Sequence, residues 1–264
     1  MNNEPTLQEL LACAVAAATA AGGHARENLA RRGSAILNAR HDVKLELDVE
    51  CQRVAEEVLR LRFPDHAVMG EEDPADRPEE LASGRLQWVI DPIDGTINFF
   101  HGLPHWCCSV AVRRDGASLA GAVYAPVMDE LYTATTADPA RLNGRPLRVS
   151  TQATAAAAIL FTGLDKNSPP GAARYALFER LADAVQRPRF MGCAALDLCH
   201  VAAGRGDAYF ETGVYVWDIA AAGLILQQAG GRAEVLQSLP GRHRIAFLGS
   251  NGLIHDELKR IIAG

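Results

Sequence analysis

The sequence predicts an α+β or α/β protein of stacked sheets and helices, and three observations lead there. Apolar residues near the start recur at helical spacing. Between residues 86 and 134, short apolar runs alternate with turn residues, as strands do. Beyond Thr151 helical and strand-like segments interleave, which sets a boundary near residue 150 and halves at 1–150 and 151–264.

The elements follow in chain order. Leu7, Leu10, Leu11, Ala14, Val15 and Ala18 share one face of an N-terminal helix. In residues 48–62, Cys51, Val54, Val58 and Leu61 do the same, and Phe63-Pro64-Asp65 ends that helix. Ala67-Val68-Met69 reads as a short strand leading into Gly70-Glu71-Glu72-Asp73, and 74–85 as a polar surface loop. Strands are expected at 86–91, 107–113, 119–125 and 130–134. The second half holds expected helices at 172–186, 194–204, 218–229 and 252–262, with Gly230-Gly231 capping the third. Strands are expected near 189 and at 207–211, 232–236 and 245–249.

The 264 residues are 48% apolar and 22% charged, an ordinary globular balance. A net charge of -6 argues against a nucleic-acid or membrane-surface binder, which needs basic excess. No apolar run approaches the ~20 residues that span a bilayer. The apolar stretch LACAVAAATAAG follows Glu4 and Glu9 with no Lys or Arg, so a secretory n-region is missing. The six cysteines form no Cys-x-x-Cys pair and read as buried thiols of a reducing compartment. A cytoplasmic location is the expectation.

The chemistry concentrates in WVIDPIDGTINFF, residues 88–100. Asp91 and Asp94 flank a Pro-Ile step that Pro92 stiffens. Both carboxylates and the Ile93 carbonyl can then face one point, the oxygen-rich arrangement that Mg²⁺ takes. Gly70-Glu71-Glu72 after a strand and Trp217-Asp218 at a helix start extend the acidic set. Taken singly, each has a plainer reading: turn caps for Asp91 and Asp94, a solvated turn for Glu71-Glu72, a helix N-cap for Asp218. Gly95-Thr96 opens a helical turn whose free N–H groups suit an anion. Metal carboxylates beside an anion nest describe a phosphate site.

With these residues in view, the sequence resembles the inositol monophosphatase family of magnesium-dependent phosphatases. The likeness rests on Asp91-Pro92-Ile93-Asp94-Gly95-Thr96 with Asn98-Phe99, on Gly70-Glu71-Glu72, and on Trp217-Asp218-Ile219-Ala220-Ala221. It continues through Gly121-Ala122-Val123-Tyr124-Ala125-Pro126, Leu142-Asn143-Gly144 and Gly192-Cys193-Ala194-Ala195, covering nearly the whole chain. The resemblance implies a layered αβαβα sandwich, shared with fructose-1,6-bisphosphatase, and commonly a homodimer. It implies two or three Mg²⁺ ions: one held by Glu71, Asp91 and the Ile93 carbonyl, a second by Asp91, Asp94 and Asp218, a weaker third by Glu71. It further implies that the Gly95 and Thr96 amides grip the phosphate and that Thr96, paired with Asp48, orients the attacking water. The segment Gly192, Cys193, Ala194 lines the substrate pocket in relatives, and the residue matching Glu211 binds a substrate hydroxyl. A small phosphorylated polyol, myo-inositol monophosphate first, is the implied substrate. Histidinol phosphate and 3′-phosphoadenosine 5′-phosphate are the alternatives. Arg189 lies where relatives carry an arginine near the dimer contact.

The resemblance breaks at Asp42-Val43-Lys44-Leu45-Glu46-Leu47-Asp48. Relatives show a threonine where Leu45 stands and a lysine where Leu37 stands, while Asp48 is retained. This segment is the sequence feature that favours a different class, a weakly catalytic metal-binding regulator. Retention of Glu71, Asp91, Asp94, Thr96, Asp218 and Asp48 argues against it. A cysteine phosphatase fares worse: Cys107 to Arg113 has the Cys-x5-Arg spacing, but its residues read as a buried strand without a phosphate cradle. His101 and His105 read as loop residues, and Trp88, Trp106 and Trp217 as core or layer contacts.

Overall fold

A computed structural model describes residues 4–39, 42–74, 83–165, 172–240 and 243–264. Most of the loop expected at 74–85 lies outside these residues. In the first half come α1 (Leu7–Glu27), β1 (Ala35–Ala39), β2 (Asp42–Leu45), α2 (Glu46–Arg62), β3 (Ala67–Gly70), β4 (Leu86–Asp94) and α3 (Thr96–His101). Then follow β5 (Cys107–Arg114), β6 (Ala117–Ala125), β7 (Glu130–Thr135), β8 (Arg141–Leu142) and β9 (Arg145–Pro146). The second half holds β10 (Ile159–Thr162), α4 (Ala172–Ala184), β11 (Arg187–Arg189), α5 (Ala194–Ala202) and β12 (Ala208–Tyr215). It closes with α6 (Val216–Gln228), β13 (Arg232–Ser238), β14 (Arg244–Ser250) and α7 (His255–Ala263).

The strands form a seven-stranded sheet in the order β3-β4-β5-β6-β7-β8-β9, a five-stranded sheet in the order β11-β10-β12-β14-β13, and the β1-β2 hairpin. Side chains alternate between faces along a strand, so each sheet sorts its residues to two sides. On β4, Trp88 and Ile90 join a core with α1 and α2, while Val89 turns to a core with α5 and α6. On the smaller sheet, Tyr209 and Phe247 face that same α5–α6 layer, and Ala208, Phe210 and Leu248 pack with Leu181 of α4 and Leu258 of α7. Helix pair, sheet, helix pair, sheet, helix pair is the αβαβα sandwich expected. Each large apolar side chain buried in these cores stabilises the fold by roughly 1.5–3 kcal/mol.

Local chemistry explains the element ends. The Thr6 hydroxyl accepts from the Glu9 N–H (3.2 Å) and Glu9 Oε2 accepts from the Thr6 N–H (3.0 Å), a capping box for α1. Gly230 and Gly231 close α6 by donating to the carbonyls of Gln227 and Leu226, both at 3.0 Å. Departures from the sequence reading have local causes too. The strand expected to stop at 91 runs to Asp94, because a bulge absorbs Pro92. Helix α7 begins at His255 rather than 252, because Asn251 Oδ1 accepts from the N–H groups of Leu253 (3.0 Å) and Ile254 (3.3 Å) and holds a turn ahead of it. Helix α2 begins at Glu46, and the β1-β2 hairpin and β10 are strands that periodicity did not reveal.

Candidate active site

Asp91 and Asp94 are brought together by a defect in pairing. Asp91 pairs with Ser109 of β5 and Asp94 with Cys107, so three steps along β4 oppose two along β5. In a regular strand residues three apart face opposite sides; the extra residue brings both carboxylates to one side. Pro92 sits within the bulge, where no ladder donor is needed. Gly95 then turns the chain with φ 86 and caps α3. A Cβ there would stand 3.0 Å from the His105 carbonyl and 3.1 Å from Cys193 Cβ, so both backbone conformation and space call for glycine.

Other element ends converge on this turn. β3 runs parallel to β4, pairing Gly70 with Ile90, and the Glu71 N–H donates to the Ile90 carbonyl (3.1 Å), which sets Glu71 beside Asp91. Asp218 lies in the first turn of α6, and its Oδ2 accepts from the Tyr215 N–H (2.8 Å). It is therefore not the N-cap but reaches back to it from the third helical position. Asp48 does the same in α2, accepting from the Leu45 N–H (2.8 Å). Asp94 Oδ2 accepts from the Ala195 N–H (2.6 Å) and the Cys193 thiol (3.2 Å), so a strand residue caps the start of α5.

Glu71, Asp91, Ile93, Asp94, Gly95, Thr96, Gly192, Cys193, Ala194, Glu211 and Asp218 all line one cleft of about 1090 Å³. Asp48 lies behind it, close enough to feel the charges of Glu71 and Glu72. Burial pushes Asp91 well above the usual carboxylate range, and the charges of Glu71, Asp94 and Asp218 push it further. Asp218 is raised well above its ordinary value by burial and by Asp94 and Glu71. Asp94 is raised by burial, against the opposing pull of its hydrogen bonds from Ala195 and Cys193. Burial carries Asp48 to about 8 and Glu211 to about 7. Among the described lining residues Lys44 is the one Lys or Arg, and it pairs with Glu72. Asp91 Oδ1 and Asp48 Oδ1 are buried without a hydrogen-bond partner. Crowded, protonation-prone carboxylates with orphaned oxygens are what a hard divalent cation would satisfy, so the residues fit such a metal.

Some expected contacts differ. The Thr96 hydroxyl donates to the Ile93 carbonyl (2.9 Å), three residues back in the same tight turn, and does not pair with Asp48. Lys44 stands across the hairpin from Leu37, so the segment that departs from the family pattern borders the cleft through Val43 and Lys44. His105 lies in the loop between α3 and β5, as expected, but is buried there, 6% exposed, with its Nε2 2.8 Å from Asp197 Oδ1. His101, at the end of α3, is exposed. Trp88 and Trp106 are core residues, whereas Trp217 stacks on Tyr215 (4.9 Å between ring centres) at the cleft. Arg189 is exposed on the edge strand β11. All six cysteines are free and buried, and Cys107 lies within β5 as a strand residue. Asn98, part of the family motif but without a role assigned from sequence, donates through Nδ2 to the carbonyls of His105 (2.8 Å), Met191 (2.7 Å) and Gly192 (3.3 Å). The signal was an asparagine inside a helix, where it is a poor former unless its amide is used elsewhere.

A cleft lined by convergent carboxylates between the layers suits the chemistry of a metal-dependent phosphatase, and comparison with known proteins gives the class. The inositol monophosphatase family model matches residues 6–242, and the chain belongs to that family. The Nus factor SuhB of Pasteurella multocida is 40% identical over 228 residues, spanning 85% of this chain and 84% of that protein. The fructose-1,6-bisphosphatase/inositol-1-monophosphatase of Thermotoga maritima is 36% identical over 227 residues, 84% of this chain and 82% of that one. The solved inositol monophosphatase of Anabaena superposes with a TM-score of 0.83 at 33% identity, over 97% and 96% of the two chains. The chain is thus a phosphatase of this family, which is generally metal-dependent and acts on small phosphorylated substrates. No helix of the described residues is long and apolar enough to cross a membrane.

Proposed function

We propose that the protein is a Mg²⁺-dependent phosphomonoesterase of a small polyol phosphate, with myo-inositol monophosphate its first candidate substrate. The observation that carries this reading is the bulge that turns Asp91 and Asp94 into one cleft with Glu71 and Asp218. Glu71, Asp91, Asp94, Asp218 and the Ile93 carbonyl would hold two or three Mg²⁺ ions. Bound there, the cations would offset charge on the phosphoryl group and make water a stronger nucleophile at neutral pH. The N–H groups of Gly95 and Thr96, at the start of α3, would bind phosphate oxygens. Asp48 and Thr96 would steer the proton leaving the attacking water, and Glu71 would share in that task. Gly192, Cys193 and Ala194 would form one wall for the alcohol. Glu211, held by the Tyr209 hydroxyl at 3.1 Å, would take a substrate hydroxyl.

On this reading the 1–150 half carries most metal ligands, and the 151–264 half brings Asp218 and substrate choice. A homodimer and a cytoplasmic location complete the proposal, the latter supported by six free cysteines. A second reading, action through a protein partner, is favoured by the Pasteurella relative being called a Nus factor. The test is phosphate release with Mg²⁺ from myo-inositol 1-phosphate, histidinol phosphate, 3′-phosphoadenosine 5′-phosphate and phenyl phosphate. Turnover led by the inositol ester, and lost in Asp91→Asn, is expected. Folded, Mg²⁺-saturated protein inert on all four would shift the weight to the partner reading.

A further inference from the structure

A second pair of carboxylates stands apart from the proposed metal ligands, where β10 and β12 end at the cleft. One is Glu211; the other is Asp165, and both line the cleft. Strands β10 and β12 run parallel with Thr162 beside Phe210. Continuing that register sets Gly163 beside Glu211 and Asp165 beside Gly213. The spaces match. A Cβ on Gly163 would stand 2.4 Å from Glu211 Oε1, and a Cβ on Gly213 would stand 2.6 Å from Asp165 Oδ1. Each carboxylate thus lies over a glycine of the neighbouring segment. Gly213 is also the bulge residue between Thr212 and Val214 in the pairing with β14, with φ 90.

Both acids are held from behind. Arg244, opening β14, pairs through Nη2 with Asp165 Oδ2, and the two side chains are 13% and 9% exposed. The same Cβ on Gly213 would stand 2.8 Å from Arg244 Nη2, so the bulge glycine makes room for the ion pair as a whole. The Tyr209 hydroxyl donates to Glu211 Oε2. A carboxylate oxygen accepts more than one hydrogen bond, so an anchored carboxylate still serves a ligand. Fixing its position beforehand removes ordering cost from binding.

We propose that Asp165, positioned by Arg244, is a second acceptor for substrate hydroxyls and that Asp165 and Glu211 together select phosphate esters bearing a hydroxyl pair remote from the phosphate. This rests on the polyol-phosphatase reading and specifies the class: a ring or chain polyol, not an ester with an apolar alcohol. Arg244 acts through Asp165 and is a positioning residue.

The experiment compares kcat and KM on myo-inositol 1-phosphate and phenyl phosphate, in saturating Mg²⁺, for wild type, Asp165→Ala, Asp165→Asn, Arg244→Met and the Asp165→Ala/Arg244→Met double variant. The ratio of kcat/KM values, polyol over phenyl ester, is expected to fall at least about ten-fold in Asp165→Ala, mainly through KM, as when a charge-assisted hydrogen bond is lost. The milder Asp165→Asn, with its smaller expected fall, supplies the measurement if the alanine variant does not fold. Losses in the double variant no larger than in Asp165→Ala are expected for one device. A ratio unchanged in both Asp165 variants, or losses that add, overturns the proposal while the polyol reading stands. A wild type that shows no preference for the polyol ester overturns that reading and the clamp with it.

Discussion

Asp91 shows what a single carboxylate does when its neighbours share its sign. It is 1% exposed, next to Glu71, Asp94 and Asp218, and folding holds it in place against burial and repulsion. Asp91→Asn keeps the shape and removes an acid that, without metal, folds only at the cost of holding its proton against its ordinary range. In a chelator the variant should therefore melt above wild type by calorimetry, while losing phosphate release by about 10³ or more. A variant that melts lower would show that Asp91 is held by contacts rather than tolerated for function. The raised acids also set a pH dependence. Asp197, Glu211 and Asp48 stand at about 6, about 7 and about 8, against ordinary values of 3.8 for aspartate and 4.5 for glutamate. The folded protein binds protons that the unfolded chain has released, so each contribution is full below the ordinary value and is lost as pH rises through the folded one. The metal-free thermal midpoint should fall steadily as pH rises from about 4.5 towards about 8. Mg²⁺ should flatten that slope, and a flat profile without metal would contradict the burial argument.

Element packing decides whether these side chains meet. Helix α6 lies so close to β6 that a Cβ on Gly121 would stand 2.9 Å from the Ala221 Cα. Gly121→Val should cost about 1–3 kcal/mol in urea unfolding, because backbone rather than a flexible tip must yield. It should also raise the Mg²⁺ concentration needed for activity, since α6 carries Asp218. Asn98 ties α3 to the segment at Met191 and Gly192, and Asn98→Ala strips the shared amide donor from three carbonyls. A loss of about 1–3 kcal/mol is expected, measured by the same unfolding curves. At this scale legibility divides by period and length. Helices α1 and α2 were legible because apolar residues recur at helical spacing along them, but the α2 face is turned from the one expected: Leu61 is 90% exposed, and Leu47, Cys51, Ala55 and Leu59 are the buried apolar residues. The four-residue β10 was not legible, because Ile159–Thr162 follows an alanine run that carries neither period clearly. The β1-β2 hairpin escaped because Ile36 and Leu37 are exposed, so no buried face marks the strand.

Across the whole molecule, the proposed ligands come from both halves: Glu71, Asp91 and Asp94 from the region of the seven-stranded sheet, Asp218 from the helix that follows β12. Cation binding should then link the layers. Mg²⁺ at one hundred times its Kd should stabilise wild type by about 2.7 kcal/mol, seen as a rise in thermal midpoint, and the rise should vanish in Asp91→Asn. An equal rise in both would place the binding elsewhere.

The sequence alone was sufficient for the layered class, the family and the acidic set, because Asp-Pro-Ile-Asp-Gly-Thr and Trp-Asp are local patterns whose chemistry needs those residue types in that order. It could not show that a bulge at Pro92 turns two carboxylates to one side, since pairing offset belongs to two strands at once. Nor could it bring Asn98 to Gly192, His105 to Asp197, or Asp165 to Arg244, pairs that lie about 80–95 residues apart along the chain. Such contacts exist only after the layers close, because burial and space, not neighbouring residues, select which distant side chains can share a hydrogen bond.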